Sequence, residues 1–210
     1  MNKRLFVAAT FLISLFAAVS LSNAQTASFA YNDNNGTPNA GTYTPGSSFT
    51  FSINLTFAPG GTVTNLEGLS YWFQQSTAGA PFNFSITNRD VTGSQFTFLQ
   101  TPGLTYPQSL SPQNANDLGA ETPSGTGLGA NTYFIANLTI SISPTTAPGV
   151  YVIENTTAIP KTSVISDSLG HTANIPQAIY TITVIPEPSS LGLLVAGLGA
   201  LAVARARRRA

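Results

Sequence analysis

The chain has 210 residues, of which 42% are hydrophobic and only 8% are charged, far below the roughly 25% of an average globular domain. The bases collect at the two ends, so residues 25–185 carry two bases, seven acids and a net charge of −5. A weakly acidic body without a basic patch excludes nucleic acid as a partner, because phosphate binding needs clustered Lys and Arg. With no cysteine, the chain has no disulfide and no thiolate metal site.

The N-terminus has the three parts of a secretory signal peptide. Lys3 and Arg4 precede an apolar run from Leu5 to Leu21, and small residues end the segment at Ala24. This order predicts export by the Sec machinery, with cleavage between Ala24 and Gln25 and a signal peptide over 1–24. A retained membrane helix is the alternative.

Residues 25–185 show the period-two alternation of half-buried strands. The clearest run is Phe49 to Phe57, in which apolar residues alternate with Thr, Ser and Asn. Gly- and Pro-containing turns separate the runs, and no helical stripe is present. The pattern predicts an all-β fold, a single antiparallel β-sandwich of about 8–9 strands. Further strands are expected around Phe84, Phe96-Phe98, Phe134 to Ile142 and Tyr180 to Val184, with weaker ones at Ser28 to Tyr31, Leu69 to Phe73, Val150 to Ile153 and Val164-Ile165.

The segment 101–131 interrupts this pattern. Nine of its 31 residues are Gly or Pro, and the hydrophobic alternation disappears. Loops of this length are usually functional or disordered. We expect a long exposed loop on one sandwich, and a junction between two small subdomains is the alternative.

Tyr71-Trp72-Phe73 is the most suggestive aromatic cluster of the body. In a strand, Trp72 points away from its two neighbours, so one side of the cluster faces the core and the other faces outward. Trp72 could therefore form a platform for a sugar, although core packing of the only Trp is the favoured interpretation.

No catalytic or metal-binding constellation is visible, so we expect a protein that is not an enzyme and has no cofactor. His171 is the only histidine, which excludes a multi-histidine zinc site and leaves a Ser-His-Asp triad without a recognisable nucleophile motif. The seven acids are scattered, so a glycosidase pair would require the fold to bring two together. Asp33 to Gly36 lacks the spacing of a calcium loop and is better explained as a turn.

The C-terminus again has three parts in a fixed order. Pro186-Glu187-Pro188 follows the last predicted strand, an uncharged segment continues to Ala204, and a basic cluster ends the chain. The 17 residues from 188 to 204 would form a helix of about 25 Å, a marginal transmembrane span. Basic clusters stay cytoplasmic, which places residues 25–185 outside the inner membrane. The cluster consists of Arg205, Arg207, Arg208 and Arg209.

This tail resembles the PEP-CTERM sorting signal of exopolysaccharide-producing bacteria. The resemblance implies that residues 186–210 are recognised by an exosortase, a transpeptidase-like membrane enzyme that cuts the tail and transfers the protein outward. It maps the sorting motif onto Pro186, Glu187 and Pro188, and the cytoplasmic stop onto the Arg cluster. Two prolines forbid helix and strand pairing, so Glu187 would be presented on a stiff extended segment. A plain tail anchor is the alternative, and a GPI signal fits worse because it lacks the basic end.

The body resembles the Ig-like or cohesin-like sandwiches found ahead of such tails. This resemblance rests on Pro45-Gly46 leading into the strand at Phe49, on Pro148-Gly149 before Tyr151, and on a last strand ending at Ile185. The leading hypothesis is a structural or adhesive component of the cell surface or exopolysaccharide matrix. A carbohydrate-binding module, using Trp72 or the 101–131 loop, is the second, and a secreted hydrolase is the third.

Overall fold

The computed structural model describes residues 26–33, 38–76, 82–111, 116–157, 161–187 and Arg205. The predicted signal peptide and the predicted span 188–204 lie entirely outside these ranges. Residues 26–187 contain fourteen strands within the described ranges, and they form three sheets. In chain order the strands are β1 Thr26–Asp33, β2 Ala40–Tyr43, β3 Ser48–Ala58, β4 Gly68–Ser70, β5 Phe73–Ser76, β6 Phe84–Asp90, β7 Phe98–Leu99, β8 Gln108–Ser109, β9 Ala120–Glu121, β10 Asn131–Ile142, β11 Gly149–Asn155, β12 Val164–Ser166, β13 Thr172–Asn174 and β14 Ile179–Val184.

The first sheet has the order β1-β3-β10-β6-β8 and is antiparallel throughout. Strand β3 lies between β1 and β10, and its residues Phe49, Phe51, Ile53, Leu55 and Phe57 are all buried while the residues between them are half-buried or exposed. This confirms the half-buried strand predicted from the alternation. The sheet therefore presents one apolar face to the interior and one Thr-, Ser- and Asn-rich face to the outside.

A β-bulge in β10 changes the predicted facing of one aromatic residue. The register shifts between Phe134, which lies opposite Asn54, and Ala136, which lies opposite Ile53. Because those two partners are consecutive in β3, Phe134 and Ala136 face opposite sides of the sheet. Phe134 is half-buried on the outer side, and the extra residue Ile135 is buried.

The second sheet has the order β2-β14-β11-β5. It is antiparallel except for the pair β2–β14, which runs parallel over four residue pairs. The last strand of the body is thus paired on both sides, with β2 and with β11.

The first two sheets pack face to face through their aromatic residues. Phe51 of β3 stacks on Tyr180 of β14 with ring centroids 5.0 Å apart, and Tyr31 of β1 meets Phe73 of β5 at 5.4 Å. Each ring in these pairs is at most 2% exposed. Close-packed aromatic rings of this kind supply large buried areas, so they hold the sandwich together without disulfides.

Two buried polar residues are satisfied within this core. The Asp33 carboxylate accepts hydrogen bonds from the hydroxyls of Tyr43 and Tyr180, both at 2.9 Å. The Asn155 side-chain oxygen accepts one from the Ala178 amide at 2.7 Å and one from the Tyr31 hydroxyl at 3.1 Å. Burial raises the pKa of the Tyr43 hydroxyl to about 12, and the bond to Asp33 adds to this shift while the bond to Tyr180 opposes it.

The third sheet has the order β13-β12-β4-β9-β7 and is built from strands of two or three residues. Strand β9 of this sheet comes from the segment 101–131, which also contains β8 of the first sheet. The same segment buries Leu110, Leu118 and Ala120. Asp117 connects this segment to β4, since it accepts hydrogen bonds from the Ser70 hydroxyl at 2.8 Å and from the Tyr71 amide at 3.1 Å.

The all-β class predicted from the sequence is confirmed, but the strand count and the sheet arrangement differ from the prediction. Fourteen strands stand where about 8–9 were expected, and the pair β2–β14 is parallel rather than antiparallel. The strands that the sequence did not predict are β2, β8, β9 and β13, which have two to four residues each and are too brief to show a period. The structure also divides the predicted run from Leu69 to Phe73 between β4 and β5.

Candidate functional site

The junction between the body and the tail is well defined. Strand β14 ends at Val184, and the Ile185 amide still donates a hydrogen bond to the Tyr43 carbonyl at 2.9 Å. Pro186 and Glu187 follow directly and are exposed. The first two residues of the predicted sorting motif therefore leave the body at the end of a strand held on both sides.

The remaining residues predicted for processing fall mostly outside the described ranges. These are Ala24 and Gln25 of the cleavage site, Pro188 of the motif, and Arg207, Arg208 and Arg209. Arg205 is described, and it is helical and exposed.

Among the residues that the structure describes, no helix combines the length and the apolar character needed to cross a membrane.

Trp72 lies in the link between β4 and β5 and is half-buried. Its neighbours Tyr71 and Phe73 are 0% and 2% exposed, so these two residues, and not Trp72 as the favoured interpretation had it, occupy the side of the cluster that faces the core. The Trp72 backbone carbonyl accepts a hydrogen bond from the Thr156 amide at 2.9 Å. Trp72 is thus neither a core residue nor a fully open platform.

A concave site absent from the sequence prediction lies on the third sheet, and we call it the third-sheet cleft. One row of paired residues crosses four strands there: Ser166 of β12 is opposite Gly68 of β4, Gly68 is opposite Glu121 of β9, and Glu121 is opposite Phe98 of β7. Neighbouring strands lie about 4.8 Å apart, so these side chains are adjacent on the sheet. The cleft has a volume of about 400 Å³ and is lined by Glu67, Gly68, Phe98, Glu121, Thr122, Ser124, Ser166, Asp167 and Ser168.

Gly68 determines how closely the walls of the cleft approach one another. A Cβ atom at this position would lie 2.7 Å from the Ser166 hydroxyl oxygen and 3.2 Å from Cγ of Glu121. Only a residue without a side chain lets Ser166 and Glu121 lean together over β4. On the far side, Glu121 is held by Gln100, whose side-chain amide donates to its carboxylate at 2.6 Å.

Asp167 lines the cleft, but its carboxylate is hydrogen-bonded within the turn that contains Leu169 and His171. Its carboxylate accepts hydrogen bonds from the Leu169 amide at 3.0 Å, the His171 amide at 2.9 Å and, at 2.9 Å, the His171 ring Nδ1. Burial of this carboxyl raises its pKa, but the hydrogen bonds together outweigh burial, and the pKa of Asp167 is lowered. A carboxyl with a lowered pKa is a poor proton donor, which is the opposite of what a glycosidase acid needs.

His171 is in the same turn, with its side chain 50% exposed, as expected for a histidine in a loop. In the described ranges, no three His, Cys, Asp or Glu side chains converge closely enough to hold a metal ion.

The sequence does not predict the third-sheet cleft, because the residues that line it are far apart in the chain and its short strands show no hydrophobic alternation. Phe98 was grouped with Phe96 as one face of a strand, whereas the structure buries Phe96 and leaves Phe98 59% exposed. Strand β7 begins only at Phe98, so Phe96 belongs to the preceding loop and the two residues need not share a face. Glu67 and Glu121 carried no signal beyond being acids.

Solved structures similar to this chain are cohesin modules. A cohesin module from Clostridium perfringens is 12% identical, with a TM-score of 0.50 over 78% of this chain and 99% of that one. The third cohesin of ScaC from Acetivibrio cellulolyticus is 14% identical, with a TM-score of 0.50 over 77% and 99%. CaCohA2 from Clostridium acetobutylicum is 11% identical, with a TM-score of 0.50 over 76% and 90%. The body is therefore a cohesin-like β-sandwich in fold.

The tail matches a family model directly. Residues 184–209 match the PEP-CTERM protein-sorting motif, so the match begins at the last residue of β14. The motif marks the chain as an exported protein, a substrate for exosortase that is sorted to the cell surface. A comparison with curated proteins finds no match.

Proposed function

We propose that the chain is an exported, non-catalytic structural or adhesive module of the cell surface or exopolysaccharide matrix. Residues 1–24 would direct Sec export, 25–185 would form the ectodomain, and 186–210 would anchor the precursor until an exosortase cuts it. The observation that carries the proposal is the position of the sorting motif, which starts where β14 ends.

The exposure of Pro186 and Glu187 supports a role as a handle for the processing enzyme. An extended, proline-flanked segment fits a protease-like cleft without unfolding the body, because it belongs to no strand. The Glu187 carboxylate would pair with a cation of the enzyme, and the Arg cluster would hold the precursor with its end in the cytoplasm.

A non-catalytic role is supported by the fold and by the lowered pKa of Asp167, which makes that carboxyl a poor proton donor. The Clostridium perfringens structure is described as a cohesin module from a family 33 glycoside hydrolase. The Acetivibrio cellulolyticus cohesin was solved in complex with a dockerin, so a protein ligand is a natural outcome to include in binding tests.

Carbohydrate binding is a second candidate, and the observation that favours it is the third-sheet cleft rather than Trp72. An aromatic ring, hydroxyl groups and carboxylates meet there in one concave site. Such sites are the usual form of small-molecule and sugar sites.

Mass spectrometry of the mature protein tests the sorting proposal. In cells with exosortase the mature chain should lack the end Arg209-Ala210, and in cells without exosortase it should keep that end. A chain that keeps it in both cells would instead be a simple tail-anchored protein.

A charge-reading role for Glu187 has its own test. Glu187→Gln should slow tail removal, and Glu121→Gln, the same change at an exposed Glu of the body, should leave the rate unchanged. Equal rates for Glu187→Gln and the unchanged protein would show that the enzyme does not read this charge.

A further inference from the structure

We propose that the third-sheet cleft binds a neutral, hydroxyl-rich saccharide through stacking on Phe98 and hydrogen bonds to Glu67 and the cleft serines. This deepens the proposed adhesive function and rests on it, since it names what the exported module would adhere to. At about 400 Å³, the cleft is within the range of about 300–1,000 Å³ typical of small-molecule sites.

Phe98 supplies the apolar contact. Its side chain is 59% exposed, and its pairing with Glu121 places the ring on the side of the sheet that carries the cleft. An exposed ring gains free energy when an apolar surface covers it, and its negative face attracts polarised hydrogens. The C–H face of a sugar ring offers both the area and the hydrogens.

The polar groups of the cleft match hydroxyl groups better than they match a cation. Ser124, Ser166 and Ser168 can each donate or accept a hydrogen bond, whereas Glu67 and Glu121 only accept. A sugar hydroxyl also donates and accepts, so it can use both kinds of partner. An ammonium or guanidinium group only donates and would leave the serine donors unused.

Charge selects among saccharides. The carboxylates of Glu67 and Glu121 both line the cleft, and the body around them carries seven acids against two bases. Like charges that share one concave site repel each other. Anionic sugars are therefore disfavoured, and a neutral saccharide is the expected ligand.

Titration of the exported protein, purified from the producing cell, tests this with three probes. These are an array of neutral oligosaccharides, a matched array of uronic-acid oligosaccharides, and a lysine-rich peptide. We expect binding to at least one neutral oligosaccharide, weaker or no binding to its uronic-acid counterpart, and an affinity that changes little with salt.

Variants assign the binding to the cleft. Phe98→Ala should weaken the affinity about tenfold, and Glu67→Gln should weaken it as well. Val150→Ala, at a 68% exposed apolar residue of the second sheet, is the matched control and should bind as the unchanged protein does. Because Phe98 is exposed, its variant should keep the thermal unfolding midpoint, so a loss of binding is not a loss of fold.

Four results would overturn the inference, three of them in the binding measurements. These three are no binding to any neutral oligosaccharide, binding that Phe98→Ala leaves unchanged, and salt-sensitive binding of the lysine-rich peptide in place of a sugar. Release of new reducing ends would also overturn it, because the cleft would then be catalytic. Sugar binding can be measured on protein from cells with or without exosortase, so its failure is distinguishable from failure of the sorting proposal.

Discussion

The two large sheets and the small third sheet are stabilised in different ways. In the first two, strands reach 12 residues, and stacked aromatic rings fill the space between the layers. In the third, each strand pairs with its neighbours over only two or three residues, and the hydrogen bonds of Asp117 with the Ser70 hydroxyl and the Tyr71 amide add to this pairing. The sandwich therefore provides stability, and the third sheet is free to carry a recognition surface.

The largest effect should come from the sandwich core. Phe51→Ala removes a ring that is 1% exposed and that contacts Tyr31, Phe73 and Tyr180. Deleting a buried Phe costs about 3–5 kcal/mol of unfolding free energy, since transfer and cavity costs add. Urea unfolding followed by tyrosine fluorescence measures the loss. A loss under about 1 kcal/mol would contradict the assignment of stability to this layer.

The next effect should come from the buried polar links of the sandwich. Asn155→Ala leaves the half-buried Ala178 amide without its partner and removes one of the two hydrogen bonds of the buried Tyr31 hydroxyl, which keeps its bond to the Ala178 carbonyl at 3.4 Å. An unsatisfied buried group costs about 1–3 kcal/mol. The same urea titration checks the value, with Asn174→Ala at an exposed Asn of the third sheet as the control. Equal losses for the two variants would remove the distinction between the sheets.

The sandwich should also be sensitive to alkaline pH. An unfolded Tyr ionises near pH 10, whereas the folded pKa of Tyr43 is about 12, so the unfolded state loses its proton first. Tyr43 therefore contributes stability that is present below pH 10 and is lost as pH rises from 10 to 12. The urea midpoint measured across this window should fall, and Tyr43→Phe should fall less steeply. Identical slopes would show that Tyr43 ionises alike in both states.

The smallest effect should be found in the third sheet. Phe98→Ala removes an exposed ring, so the unfolding free energy should change by less than about 0.5 kcal/mol. The contrast with Phe51→Ala uses the same substitution on the two sides of the comparison. If Phe98→Ala destabilised the protein as Phe51→Ala does, the ring would be structural and the division of roles would fail.

The sequence was informative where a pattern extends over many residues. The alternation from Phe49 to Phe57 predicted β3 and its buried face, and Tyr180 to Val184 predicted β14. The order of motif, apolar segment and basic cluster identified the tail. In each case the pattern lies within one continuous segment, so the sequence alone is enough to detect it.

It was uninformative where geometry depends on distant segments or on one extra residue. The bulge at Ile135 turns Phe134 to the outer side, and no local rule marks its position. The third-sheet cleft joins Glu67, Phe98 and Glu121 through strands β4, β7 and β9, two of which have only two residues. A period cannot be seen in two residues, so pairing of this kind appears only in the folded chain.

The position of β14 also determines how the body would carry a mechanical load. A pull on the tail along the strand direction enters the fold at Val184, where β14 is paired with both β2 and β11. Its hydrogen bonds lie across the strand, so they would be sheared together rather than peeled open one by one. A module tethered through this strand and gripped elsewhere would therefore resist extension with both neighbouring strands at once.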